Sequence, residues 1–216
     1  MSKVGPFELN SINCIDAVEG MRQLPLGSVD LIITDPPYEK AYLYLYGELA
    51  KQSPRILKRN ASLLTIVGHY AVPDVIEMFS DKLNFRWIIC MNQFGQNHAR
   101  LKMGIEVMWK PILWYVNGTF SGDCYIMDGI VSSGREGILK ENHHWEQDLD
   151  WLYYYIEKLC PKGGVVLDPF IGSGGTAVVC SRLGRNYVGF DIELKYVEAA
   201  NERVRDEGEW SVKDYL

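Results

Sequence analysis

Apolar residues in this chain fall into short unbroken runs that alternate with stretches of helical spacing. The run over residues 29–34 reads as a buried strand, with others at 63–67, 85–91, 111–116, 165–167 and 187–190. Helices are predicted over 45–57, 176–183 and 194–204, and another starts at 73–79 behind turn signals. Leu149, Leu152, Ile156 and Leu159 repeat at helical spacing, and that helix should end by Pro161-Lys162-Gly163-Gly164. Residues 117–142 are rich in Gly, Ser and Asp; they read as loop, above all 123–142, because little there can bury a face. Alternating strands and helices predict an α/β fold, one domain over residues 1–216 with helices on both faces of a sheet. There is no internal repeat, and the length of 216 residues suits a single domain with a substantial core.

Composition narrows the class. No window approaches the length needed to cross a bilayer and no apolar stretch of signal length opens the chain, so a cytoplasmic protein is expected. Five cysteines, at 14, 90, 124, 160 and 180, show no Cys-x-x-Cys spacing; neither a disulfide framework nor a metal site is expected. The net charge of −6 is uneven along the chain. Residues 1–140 carry 14 acidic and 14 basic side chains, and residues 141–216 carry 14 acidic and 8 basic. Between Lys82 and Lys110 the balance is basic, with Arg86, Arg100 and Lys102 against Glu106 alone, and His98 nearby. Such a local excess is what phosphate contacts require, and it is equally what a solvated basic face looks like.

Two segments carry chemistry. Thr34-Asp35-Pro36-Pro37-Tyr38 ends the strand at 29–34, and Asp168-Pro169-Phe170-Ile171-Gly172-Ser173-Gly174-Gly175-Thr176 follows the strand at 165–167. The second stands where a strand hands over to a helix, the usual place for a nucleotide-like ligand in a doubly wound sheet. Glycines at 172 and 174 let backbone approach a ligand closely, and Asp191, at the end of the next strand, suits a pair of ribose hydroxyls. A nicotinamide site would call for Gly-x-Gly-x-x-Gly, which this loop lacks.

Asp35-Pro-Pro-Tyr38 resembles the motif with which DNA adenine-N6 and cytosine-N4 methyltransferases hold an exocyclic amine, and Phe170–Gly174 resembles their S-adenosylmethionine loop. The order, catalytic motif before cofactor motif, is that of the permuted beta group. The resemblance runs from about Asn13 to Arg203, weakest between Lys82 and Asn142. It implies a Rossmann-like S-adenosylmethionine-dependent methyltransferase fold and, as cofactor ligands, Asp16, Asp168, Phe170, Gly172, Ser173, Gly174, Thr176 and Asp191. Asp16 reads equally well as a turn residue. Gly175 stands where the family usually has Thr; His143 and His144 stand where the family has His before the cofactor half, but Trp145-Glu146-Gln147-Asp148 replaces the usual Gln-Lys-Pro, so the resemblance implies only a methionine-side role for this stretch.

The resemblance gives Asp35, Pro36, Pro37 and Tyr38 their catalytic roles, and the difficulty of the reaction explains them. The lone pair of an aromatic amine is delocalised into its ring. Acceptors on both N–H groups, the Asp35 carboxylate and the Pro36 carbonyl, would localise it on nitrogen for attack on the sulfonium methyl. The proline pair stiffens the loop and removes competing donors, and Tyr38 would stack on a base swung out of duplex DNA. Tyr42, Tyr44 and Tyr46 follow as candidate stacking groups or as core. Target recognition is expected within residues 82–122, with Arg86, Arg100 and Lys102 on phosphates; so short a reader suggests a homodimer or a small site. Asp35 favours adenine N6 over cytosine N4. An RNA amine, a non-catalytic partner subunit and a pure DNA-binding module remain as other readings.

Overall fold

The computed structural model describes residues 2–92, 99–101, 103–120, 122, 125–131 and 149–207. His98, Lys102, Cys124, His143, His144 and Trp145 lie outside them. The chain opens with a small hairpin, β1 (Lys3–Val4) and β2 (Phe7–Glu8), then β3 (Ser11–Cys14), α1 (Ala17–Gln23) and β4 (Val29–Thr34). There follow α2 (Tyr44–Ile56), β5 (Leu57–Ile66), α3 (Val72–Phe79) and β6 (Asn84–Asn92). A second hairpin, β7 (Ala99–Leu101) and β8 (Ile105–Val107), precedes β9 (Trp109–Val116) and β10 (Gly129–Val131). The chain continues through α4 (Asp150–Leu159), β11 (Val165–Asp168), α5 (Gly175–Leu183), β12 (Asn186–Asp191) and α6 (Leu194–Glu207).

Among the described residues, eight strands form one sheet in the order β10-β6-β9-β5-β4-β11-β12-β3, and of these β9 alone runs against the rest. Because the inner strands are covered on both sides, their residues divide between two cores rather than between core and water. Leu31 and Ile33 pack with residues of α4, α5 and α6, whereas Ile32 packs with residues of α1, α2 and α3. The chain leaves β4 through α2 toward β5 on one side and leaves β11 through α5 toward β12 on the other. Between β4 and β11 the winding therefore reverses, which opens a crevice at their C-terminal ends.

The helices and strands read from the apolar pattern are all present, joined by elements that it did not show, the β1–β2 hairpin among them. β3 and α1 were not predicted, because Ser11–Cys14 buries only Ile12 fully and α1 is just seven residues long. β5 starts at Leu57, six residues before the predicted strand; Leu57 is buried but Lys58, Arg59 and Asn60 are polar and exposed, and a register shift lies between Val29 and Leu31 opposite them. β10 lies inside the stretch read as loop, pairing with residues 90–92 of β6 through backbone groups that leave no apolar signature. The connection between β6 and β9 contains the β7–β8 hairpin.

Candidate active site

The crevice gathers four aspartates at the tips of four neighbouring parallel strands. Asp35 follows β4, Asp168 ends β11, Asp191 ends β12 and Asp16 lies two residues beyond β3. At a spacing of about 4.8 Å per strand they span roughly 14 Å. Parallel strands expose their last carbonyls and connecting loops at one edge, so sequence positions 16, 35, 168 and 191 meet there through topology alone.

Asp168 ties the two halves together. Its buried carboxylate accepts from Thr34 Oγ1 at 2.7 Å, from the Phe170 N–H at 3.2 Å and from Thr176 Oγ1 at 2.6 Å. Thr34 immediately precedes Asp35, so this carboxylate fixes the Asp35–Tyr38 loop against the glycine loop. Burial raises its pKa to about 6, against the opposing pull of these hydrogen bonds. Among the residues named as cofactor ligands, Asp168 and Thr176 bond to each other and are both buried, so they shape the loop. Phe170 is half-buried, and Ser173 is exposed at the tip, in reach of Arg203 Nη1 at 3.4 Å.

Gly172 and Gly174 take positive φ, +49° and +81°. At Gly174 a Cβ would also lie 2.9 Å from Cβ of Ala200 on α6, so glycine is required both by conformation and by helix packing. At Gly175 a Cβ would fall 2.9 Å from Leu149 Cδ2, and the α4 leucines fill the space that a larger residue would take.

Asp191 accepts from the Glu193 N–H through Oδ1 at 2.8 Å, and its Oδ2 carries no hydrogen bond among the described residues. Ile192, 68% exposed, and Leu194 stand beside it as apolar surface at a polar strand tip. Asp16 caps α1: its Oδ1 accepts from the Val18 and Glu19 N–H groups, both at 3.0 Å. The turn-residue reading of Asp16 is thus realised, and the other carboxylate oxygen stays available at the exposed end of the row. A ligand with a charged amino-acid end, a ribose and an apolar base, such as S-adenosylmethionine, fits the row. The glycine loop accommodates close approach, Asp191 offers an acceptor, and Ile192 with Leu194 offers an apolar face.

The Asp35–Tyr38 loop is held from several sides. Pro36 is buried, whereas Pro37 and Tyr38 are exposed. The Tyr38 hydroxyl donates to Asp35 Oδ1, and the Tyr70 hydroxyl donates to the Tyr38 carbonyl. Lys110, at the start of β9, places Nζ 3.3 Å from the Tyr38 hydroxyl and 5.1 Å from its ring centroid. The ring is 37% exposed, yet burial of the hydroxyl and then the Asp35 charge push its pKa far above the ordinary tyrosine value. His69 meets the Trp109 ring edge-on at 4.8 Å beside them, and burial lowers its pKa. Tyr46 is core, bonded to the Ile66 carbonyl at 3.0 Å, while Tyr42 and Tyr44 are exposed.

The basic residues separate. Arg86 lies on β6, three strands from β4, with its guanidinium over the rings of Trp114 and Phe120 at 5.9 and 5.7 Å. It stands before the level at which β4 ends, away from the aspartate row. Arg100, on the β7–β8 hairpin, pairs with Glu106 at 3.6 Å across the two strands and remains exposed. Lys110, His69, Tyr70 and Ile192 were not singled out from sequence. Lys110 and Ile192 follow or begin strands whose ends were read one or two residues short, and no periodic signal marks such positions.

The chain is similar to several known proteins. Residues 122–202 match the family model described as DNA methylase. The type II methyltransferase M.HpaI of Haemophilus parainfluenzae is 25% identical over 234 residues, covering 90% of this chain and 74% of that protein. The DNA adenine methyltransferase YhdJ of Escherichia coli K12 is 23% identical over 251 residues, covering 92% and 84%. Among solved structures, the M1.HpyAVI complex with S-adenosylmethionine superposes with a TM-score of 0.71 at 22% identity, covering 90% of this chain and 98% of that one. The PvuII DNA methyltransferase, cytosine-N4-specific, gives 0.77 at 17% identity, covering 92% and 90%. The fold is the Rossmann-like fold of S-adenosylmethionine-dependent methyltransferases. Over most of its length the chain is thus similar to DNA methyltransferases, with the family-model match confined to residues 122–202.

Proposed function

We propose that this chain is a DNA methyltransferase that uses S-adenosylmethionine to methylate the exocyclic N6 amine of adenine, with its catalytic motif ahead of its cofactor motif as in the permuted beta group. The observation that carries the reading is the join between Thr34 and Asp168, which sets the amine-holding loop directly beside the glycine loop at the switch point of the sheet. When bound there, S-adenosylmethionine supplies an electrophilic methyl on a sulfonium. Gly172, Ser173 and Gly174 with Phe170 would receive its amino-acid end, Asp191 would accept from the ribose hydroxyls, and Ile192 with Asp16 would border the adenine. Asp168 and Thr176 act by holding this loop in shape.

Asp35 and the Pro36 carbonyl accept the two amine N–H groups, drawing the nitrogen toward tetrahedral geometry as it attacks. The Tyr38 hydroxyl donates to Asp35 Oδ1, so the loop geometry is set before substrate arrives. The open face of Tyr38 receives the base, which must leave the duplex because a paired amine cannot be reached. Target recognition falls to the β7–β8 hairpin and its flanks at residues 93–108, since β6 and β9 themselves are sheet strands and Arg86 is turned onto Trp114 and Phe120. Arg100 on this hairpin is assigned to phosphates, as is Lys102, which lies two positions further along the sequence.

Adenine is favoured by Asp35 and by the likeness to an adenine enzyme, YhdJ; the likeness to the PvuII enzyme keeps cytosine N4 as the second reading. The test is to incubate unmethylated genomic DNA with the protein and S-adenosylmethionine, digest it to nucleosides and separate them by mass. N6-methyladenine is expected. N4-methylcytosine as the main product would overturn the choice of base, and no modified nucleoside would overturn the reaction.

A further inference from the structure

Tyr38 stands on an exposed loop, where a long aromatic side chain loses rotamer freedom if it is to be ready for a base. Its hydroxyl nevertheless meets two charged groups. Asp35 Oδ1 takes its hydrogen bond, and Lys110 Nζ lies 3.3 Å from the same oxygen while standing over the ring at 5.1 Å. An ammonium only donates, so toward Lys110 the phenol oxygen must accept, and the hydroxyl proton is left to point at Asp35. Phenolate is excluded by burial and by the Asp35 charge, so this proton stays in place across the working pH range. The cation also covers one side of the ring, an arrangement that contributes through the ring quadrupole. Asp35 belongs to the same loop as Tyr38 and Tyr70 follows β5, whereas Lys110 is the second residue of β9, the reversed strand of the sheet. It reaches the loop from a part of the sheet that does not depend on how the loop folds.

We propose that Lys110 is a positioning residue of this site. It acts through Tyr38, fixing the ring on which the target base stacks and directing the phenol proton so that the Asp35 carboxylate is held in orientation. The inference rests on the reading of the site as a DNA amine methyltransferase, but its first consequence exists without any substrate. Ammonium removal frees the Tyr38 ring; a guanidinium, also donor-only and cationic, restores it.

The test uses the full chain carrying tyrosine labelled with carbon-13 in the ring, with the Tyr38 resonance assigned by its loss in Tyr38→Phe. Lys110→Met and Lys110→Gln should shift and broaden that resonance, and Lys110→Arg should return it toward wild type. In methyl transfer to unmethylated genomic DNA, Lys110→Met should lower kcat/KM for DNA about tenfold, equivalent to about 1.4 kcal/mol. Affinity for S-adenosylmethionine should not change, and Lys110→Arg should recover most of the loss. In a Tyr38→Ala background the same Lys110→Met change should alter DNA affinity by less than about twofold, since the residue it acts through is gone. An unmoved Tyr38 resonance overturns the proposal, as does a Lys110 effect that persists in full without Tyr38, which would place the ammonium on DNA directly. If wild-type protein transfers no methyl to DNA, the proposed function falls, and the resonance still decides whether Lys110 holds Tyr38.

Discussion

Replacing Asp168 by Asn isolates the charge that joins the two halves of the site. In the folded protein this carboxyl has its pKa raised to about 6, chiefly by burial, from an ordinary value of 3.8. Once pH exceeds 3.8 the unfolded chain gives up this proton more readily than the folded one, so between 3.8 and about 6 the native state binds more protons. Stability from this group is therefore complete below the unfolded value and declines as pH rises through that window. A difference of about two pH units, at 1.36 kcal/mol each, amounts to about 3 kcal/mol. Asparagine keeps the shape, accepts from Thr34 and the Phe170 N–H through its oxygen, and can donate to the Thr176 hydroxyl. It carries no ionisation. Urea unfolding of wild type and Asp168→Asn, followed by tryptophan fluorescence from pH 3.5 to 7.5, should give curves that diverge. The variant gains about 3 kcal/mol relative to wild type across the range, most of it between pH 4 and 6. Parallel curves would show that burial does not penalise the charge, and divergence in the opposite sense would show that the hydrogen bonds outweigh burial.

Two further outcomes follow from the row of aspartates and the hairpin. Asp191→Ala should weaken S-adenosylmethionine binding by roughly 1.5–3 kcal/mol for each ribose hydrogen bond lost to a charged acceptor; unchanged affinity in a calorimetric titration would move the ribose elsewhere. Arg100→Glu with Lys102→Glu should weaken DNA binding and flatten the dependence of log affinity on log salt by about two, since each phosphate contact contributes about 0.9 to the slope. The Arg100–Glu106 pair is exposed, and its loss should cost at most about 1 kcal/mol of stability. An unaltered salt slope would place the DNA surface outside the hairpin.

The sequence was most legible where one signal sufficed. Ile32 and Ile33 lie in an apolar run with only two destinations, a sheet buried on both faces, and Asp35 and the glycine loop stand at the ends of such runs. What could not be read is what sequence-distant backbone decides. β3 and β10 are held by pairing with β12 and β6, and neither has a periodic face of its own. The adjacency of β4 and β11 rests on register, so the hydrogen bond of Thr34 to Asp168 joins positions 134 apart with no local sign. Asp168 read as a ligand because it opens the glycine loop, but burial turns it inward. Lys110 read as one charge in a basic stretch, and only the antiparallel course of β9 brings it over Tyr38.

The central claim is that Asp35 holds the amine while the cofactor is held elsewhere, by the glycine loop and Asp191. The direct measurement is transfer of a radiolabelled methyl from S-adenosylmethionine to unmethylated DNA by wild type and by Asp35→Ala, each with its cofactor affinity determined on the same preparation. Wild type should label the DNA, and Asp35→Ala should bind S-adenosylmethionine nearly as tightly yet transfer no methyl. Appreciable turnover by the folded Asp35→Ala protein, or loss of cofactor binding in step with activity, would contradict the assignment.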